Sequence, residues 1–284
     1  MTALSTDAPE EILAVQRKAR NSSFYSAMRL MPRAEREAMF AIYAFCRAVD
    51  DIADDGEGSR ADRREALARW RLDLEALYGR GDARLSAFLK DAVRRYGLRK
   101  EDFLSVIDGM EMDVADDIRA PELAMLDLYC DRVASAVGRL SIKVFGMEEE
   151  PGFRLAKHLG RALQLTNILR DLDEDAAMGR LYLAREPLEE AGIFTRDPNA
   201  AIADPRIDAA CRACARLAHA HYREADAVMQ ARPRGRIRTP RLMGRVYAEI
   251  LKAMEVQGWK PPRVRVSLPK TRLAAIVLRH GILG

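Results

Sequence analysis

"AFCRAVDDIADD", residues 44–55, sets four carboxylates (Asp50, Asp51, Asp54 and Asp55) behind one arginine, Arg47. They end an apolar run with helical spacing, in which Phe40, Tyr43, Ala44 and Val49 share a face. Like charges one turn apart repel, so a helix gains nothing from them. Acids also sit badly near a helix C-terminus, where the macrodipole favours cations. The stretch therefore asks for a compensating charge from outside the chain.

A second block supplies the context. "LQLTNILRDLDED", residues 163–175, repeats the i, i+4 spacing of Asp50 and Asp54 in Asp171 and Asp175, with Arg170 in the place of Arg47. Gln164, Asn167 and Asp171 climb one face of the same predicted helix at steps of three and four. If the two helices face each other, four carboxylates line one cavity, with amides and arginines nearby. That donor set suits Mg²⁺, which takes oxygen ligands, keeps several waters and binds through carboxylates together with substrate phosphates. Arginines add bidentate contacts to those phosphates. A diphosphate so held leaves readily, because the metal stabilises its developing charge. Asp113 and Asp117 in "MEMDVADDI", residues 110–118, share the spacing and read as solvated surface.

The rest of the chain is helix-patterned. Trp70, Leu74 and Leu77 mark one helix, opened at Ser59–Asp62 by "SRAD", a capping-box pattern. Further helical patterns run through 84–96, 101–116, 122–145, 152–175, 207–230 and 238–257, with a looser stretch at 192–205. There is no strand alternation, internal repeat or low-complexity linker. The expectation is an all-α fold: one domain over residues 1–284, a helical bundle enclosing a central cavity.

Of 284 residues, 49% are hydrophobic and 32% charged, a globular balance with no apolar run long enough to span a bilayer. The N-terminus lacks a signal-peptide pattern, so a cytoplasmic protein is expected. The four cysteines fit reduced, buried thiols. Cys211 and Cys214, with His219 and His221 nearby, have no second CxxC to complete a zinc site. Neither acidic block has the EF-hand pattern, and no Glu-x-x-His pair or nucleotide-binding loop is present.

Charge is unevenly spread. Residues 231–284 hold 13 Lys+Arg against two acids, Glu249 and Glu255, a local net of +11; with +4 overall, the first 230 residues are net −7. A basic C-terminal region on an acidic body suggests an anionic partner or a solvated basic surface. The apolar stripe of "LAAIVLRHGIL", residues 273–283, beside Arg272 and Arg279 points to peripheral contact with an anionic membrane surface. A nucleic-acid-binding module would explain the basic region but not the acidic blocks, so no nucleic-acid partner is expected.

Together these stretches resemble the squalene/phytoene synthase family. "AIYAFCRAVDDIADD" (41–55) and "QLTNILRDLDEDAAMGRLYL" (164–183) are similar to its two aspartate-rich signatures, "YCDRVASAVG" (129–138) to its intervening motif, and "NSSFYSAMRLMP" (21–32) to its N-terminal substrate segment. The resemblance implies an all-α isoprenoid synthase that uses Mg²⁺. It makes Asp50, Asp54, Asp171 and Asp175 the metal ligands, and Arg47, Arg170 and Arg180 the diphosphate holders. Gln164 and Asn167 would line the pocket between the acidic faces. Ser23, Tyr43, Tyr129, Tyr182 and Tyr247 would contact substrate, with Asn21 at a position where relatives can have serine, and Val133, Val137 and Gly138 would line an apolar tunnel.

"GMEMDV" (109–114) and "GWKPPRVRVSLPK" (258–270) most resemble bacterial members of hopanoid pathways. That implies condensation of two farnesyl diphosphates to presqualene diphosphate without NADPH, with squalene formed later by separate proteins. Phytoene synthesis from geranylgeranyl diphosphate and complete NADPH-dependent squalene synthesis are the alternatives. A helical assembly factor derived from the family would be expected to lose acidic ligands, and both blocks are intact. Ala184 stands where many relatives carry proline, which puts the loop beside Tyr182 in question.

Overall fold

The structure is a computed structural model and describes residues 28, 31–54, 58–79 and 81–282. Arg33–Asp54 (α1) buries Met39, Ile42, Phe45, Val49 and Ala53, apolar residues at steps of three and four. Ser59 opens Arg60–Tyr78 (α2) with the expected capping box. Its hydroxyl accepts from the Asp62 amide, while its own amide donates to the Asp62 carboxylate. Lys90–Tyr96 (α3), preceded by a 3₁₀ turn at Ala87–Leu89, ends where Gly97 turns left-handed at φ 60°. Phe103 of Lys100–Ala115 (α4) and Trp70 of α2 meet the Phe45 ring edge-on, at 5.0 and 5.5 Å between centroids. These contacts join α1, α2 and α4 around one core.

Leu123–Cys130 (α5), a π-helical turn at Asp131–Ser135 and Ala136–Val144 (α6) follow where a single helix was expected over 122–145. The next helix, Glu149–Arg170 (α7), buries Leu155, Gly160, Arg161, Thr166 and Leu169, residues that point to different sides. Gly160 allows α7 to meet the π turn, since a Cβ there would lie 2.7 Å from the Ser135 backbone. Buried Arg161 fixes the junction, donating to Asp131, to the Ser135 hydroxyl and, as a fork, to Asp127.

The helix expected over 152–175 breaks at Asp171, and Leu172–Ala177 (α8) begins immediately after it. The acids supply a reason. At the end of α7 they would oppose its dipole, whereas the break puts Asp173, Glu174 and Asp175 in the first turn of α8, where negative charge is favoured. Short helices follow at Arg185–Glu190 (α9) and Pro198–Ala203 (α10). The latter lies inside the stretch that reads as loose and is capped by Asp197. Ile207–Gln230 (α11), Arg238–Gln257 (α12), Lys270–Ile276 (α13) and a π-helical segment at Val277–Ile282 complete the order. The flanks of α7 are packed against α6, α11 and α12. The fold is all-α. Among the described residues, β pairing is limited to an isolated parallel bridge, Arg119 to Leu181.

Two expectations about the C-terminal region acquire detail. Arg263 pairs with Asp173, Arg265 with Asp171 and Glu174, Arg236 with Glu35, and Arg272 with Glu249, so much of the basic charge is met within the chain. Leu273, Ile276 and Val277 pack against the body, while Leu278 stays exposed. No helix among the described residues is long and apolar enough to cross a membrane.

Candidate active site

A cavity of about 430 Å³ opens between α1, α4, the π turn, α7 and α12. One end is polar, with Arg47 and Asp50 from α1 facing Gln164, Asn167 and Arg170 from α7. The other is apolar, walled by Met39, Val133, Val137, Leu163 and Met243. It continues into a smaller pocket of about 80 Å³ that includes Gly138. Tyr43, Tyr129 and Tyr247 stand on the wall between the two characters. Cys46 also faces the cavity, but burial pushes its thiol up to about 12, which leaves it an inert wall residue.

The two acidic blocks approach each other beside the polar end, Asp175 within electrostatic reach of Asp54, but of the four expected metal ligands Asp50 alone lines the cavity. Arg47 pairs with Asp50 at 2.8 Å and Asp51 at 2.7 Å, and Arg170 grips Asp171 with two bonds of 2.8 and 2.6 Å. Arg180, buried, donates to Asp54 and, at 2.9 Å, to the Ala53 carbonyl. Part of the compensation that the opening stretch demanded thus comes from a distant arginine of the same chain. It does not remove the conflict. Burial, and then Asp54, push the Asp50 carboxyl up to about 7; burial, and then Asp171, do the same to Asp175. Both acids favour a proton, or a cation, over bare charge.

Asn167, which lines the cavity, adds a second sign: its Oδ1 is buried without a hydrogen bond. Oxygen donors of this kind fit Mg²⁺. Among the described residues no three His, Cys, Asp or Glu side chains form a metal cage by themselves.

Other expected site residues lie elsewhere. Tyr182 is not on the cavity wall. It stacks behind Tyr129, 5.0 Å between ring centroids, and both phenols donate to Asp113, at 2.6 and 3.0 Å. Asp113 is therefore no solvated surface acid but buried, its carboxyl pushed up to about 6 by that burial. The signal was legible: Asp113 continues the inward stripe of Phe103, Val106, Ile107 and Met110 on α4. Asp117 instead pairs with Arg60 and Arg119. Asn21, Ser23 and Asp55 lie outside the described residues.

The sequence reading also missed what the segment after α12 does. Trp259 donates its indole N–H to the Leu169 carbonyl at 2.9 Å, and Arg265 reaches Asp171 at 2.9 Å, so this segment closes over the second block. Cys211 and Cys214 are buried, as expected, with His219 paired to Glu255 and His221 to His158. Ala184 has φ −65°, an angle that a proline would also hold.

Comparison with known proteins bears on this geometry. The squalene/phytoene synthase family model matches residues 17–272. The presqualene diphosphate synthase of Zymomonas mobilis subsp. mobilis is 57% identical over 92% of this chain and 89% of its own length. That of Rhodopseudomonas palustris is 50% identical over 99% and 100%. The crystal structure of a squalene synthase from Alicyclobacillus acidocaldarius superposes with a TM-score of 0.77 at 28% identity, covering 89% of this chain and 95% of that one.

Proposed function

The chain belongs to the squalene/phytoene synthase family, and from that premise we propose that it condenses two farnesyl diphosphates head to head into presqualene diphosphate. It is a prenyltransferase acting on prenyl diphosphates. The observation that carries the reading is the two-ended cavity, in which Asp50, Arg47, Arg170 and Asn167, whose buried oxygen lacks a hydrogen bond, lie opposite an apolar pocket.

Asp50, Asp54, Asp171 and Asp175 would hold Mg²⁺, which when bound stabilises the charge on a departing diphosphate. Arg47 and Arg170 turn their guanidinium groups from Asp50 and Asp171 to phosphate oxygens, while Arg180 keeps Asp54 in place. Gln164 and Asn167 fix the diphosphate between the acidic blocks. The apolar wall keeps water from the allylic cation left behind, and the rings of Tyr43, Tyr129 and Tyr247 offer it negative π faces. The double bond of the second farnesyl diphosphate then attacks C1 of that cation, and loss of one proton closes the cyclopropane. Burial and Asp113 push the Tyr129 phenol well above its ordinary value, so it is a donor here, and the released diphosphate accepts the proton.

Purified protein given farnesyl diphosphate and Mg²⁺ without a nicotinamide should release one diphosphate per pair of substrates and form presqualene diphosphate. Squalene formed only with added NADPH would make it a complete squalene synthase. Strong preference for geranylgeranyl diphosphate would make it a phytoene synthase. Peripheral membrane contact through exposed Leu278 and Arg279 belongs to the proposal as well. Vesicles of anionic lipid should then retain the protein at low salt and release it at high salt, and equal partitioning onto neutral vesicles would remove that part.

A further inference from the structure

The cavity leads away from the acidic end through walls that it shares with the inner pocket: Met39, Val137, Gly160, Leu163 and Met243. Along α7 the polar end is marked by Asn167 and the far end by Leu159, about 12 Å lower at 1.5 Å per residue. Beyond Leu159 lies another cavity, of about 570 Å³, which opens to the outside between α11 and α12. Its floor includes Ala225, Met229 and Gly244, and Arg216, Arg223 and Arg245 stand at its exposed rim. Leu159 is the one described residue that lines both the inner pocket and this outer cavity.

The partition is thin. Leu159 is 7% exposed, and the α12 residue facing its tip is Gly244, where even an added Cβ would lie 3.3 Å from Leu159 Cδ1. No side chain from that position of α12 stands behind the leucine. Leu159 therefore stands between the two cavities, with no side chain of Gly244 to back it.

We infer that Leu159 sets the length of prenyl chain the cavity accepts, by closing the inner pocket against the outer one. This rests on the prenyl diphosphate reading above for the identity of the ligand. A chain that fills the pocket gains close packing, whereas one isoprene unit more must displace Leu159 or fold back on itself. Truncating the side chain joins the two cavities and gives the extra unit an apolar path past Gly244 and Met229.

The test compares kcat/KM for geranylgeranyl and farnesyl diphosphate in the wild type, Leu159→Val and Leu159→Ala. Dissociation constants of the unreactive thiodiphosphate analogues of both chains are measured in the same proteins. The ratio of the longer to the shorter chain should rise about tenfold or more in Leu159→Ala, and less in Leu159→Val. It should fall back in Leu159→Ala/Gly244→Val, which refills the gap from α12. A loss of packing without a gauge role lowers both substrates alike and leaves the ratio where it was. An unchanged ratio in Leu159→Ala overturns the inference, and where that variant does not fold, an unchanged ratio in Leu159→Val does so. A wild type that fails to turn over farnesyl diphosphate counts against the proposed reaction instead. The analogue affinities still decide the role of Leu159 in that case.

Discussion

Arg180 holds Asp54: from the turn after α8 its guanidinium reaches the last turn of α1, where it also takes the Ala53 carbonyl. α1 has no basic residue of its own in its last turn, so Arg180 supplies the cation its C-terminal dipole favours. The same contact fixes the spacing of the two acidic blocks.

Replacing Arg180 with Ala should therefore cost about 1.5–3 kcal/mol, the range for hydrogen bonds to charged groups, and also reduce diphosphate release. Arg180→Lys should keep the charge, lose the fork and fall between. Urea unfolding at constant m-value measures the first effect. An Arg180→Ala protein as stable as the wild type would mean that the pair contributes nothing to the fold.

Asp50 gives a pH dependence with a definite sign. Its carboxyl is raised to about 7 in the fold, first by burial, against about 3.9 in an unfolded chain. Between those values the folded protein holds the extra proton, so this contribution to stability declines as pH rises. His221, lowered to about 4 chiefly by burial, pushes the other way below its ordinary value, so a difference must be measured. The stability of metal-free wild type minus that of Asp50→Asn should drop between about pH 4 and pH 7 and level off above that. Thermal unfolding at several pH values tests this, and a flat difference would contradict it. Asp50→Asn should also abolish diphosphate release at saturating Mg²⁺.

Asp113 accepts from two buried phenols, and Asp113→Ala removes the acceptor they share. A loss of about 2–3 kcal/mol is expected in chemical denaturation, with Asp113→Asn milder because its amide oxygen still accepts. Tyr129→Phe alters the cavity wall and should impair turnover, whereas Tyr182→Phe, behind that wall, should act mainly on stability. Equal kcat losses in the two variants would refute this division of roles.

Trp259→Phe removes the bond that ties the segment after α12 to the end of α7, at a cost of about 1 kcal/mol. The neighbouring Arg263 and Arg265 contacts to Asp173 and Asp171 should loosen with it. Faster amide exchange over residues 259–266 in the variant is the readout. Unchanged protection there would show that the arginine pairs suffice.

By itself the sequence determined the helical class, the capping box at Ser59 and the kinship of the two acidic blocks, because these depend on residues three or four apart. It also marked Arg47, Asn167 and Arg170 as neighbours of those acids, and all three face the cavity. Tertiary structure decided the rest. The break at Asp171 depends on which helix end the acids adjoin, and the role of Arg180 depends on how the turn after α8 meets α1. Asp113 lay on an apolar stripe, yet its value as an acceptor comes from Tyr129 and Tyr182, which reach it from other elements. Local spacing fixes faces and ends of helices; which charge meets which across the interior is set only when the helices pack.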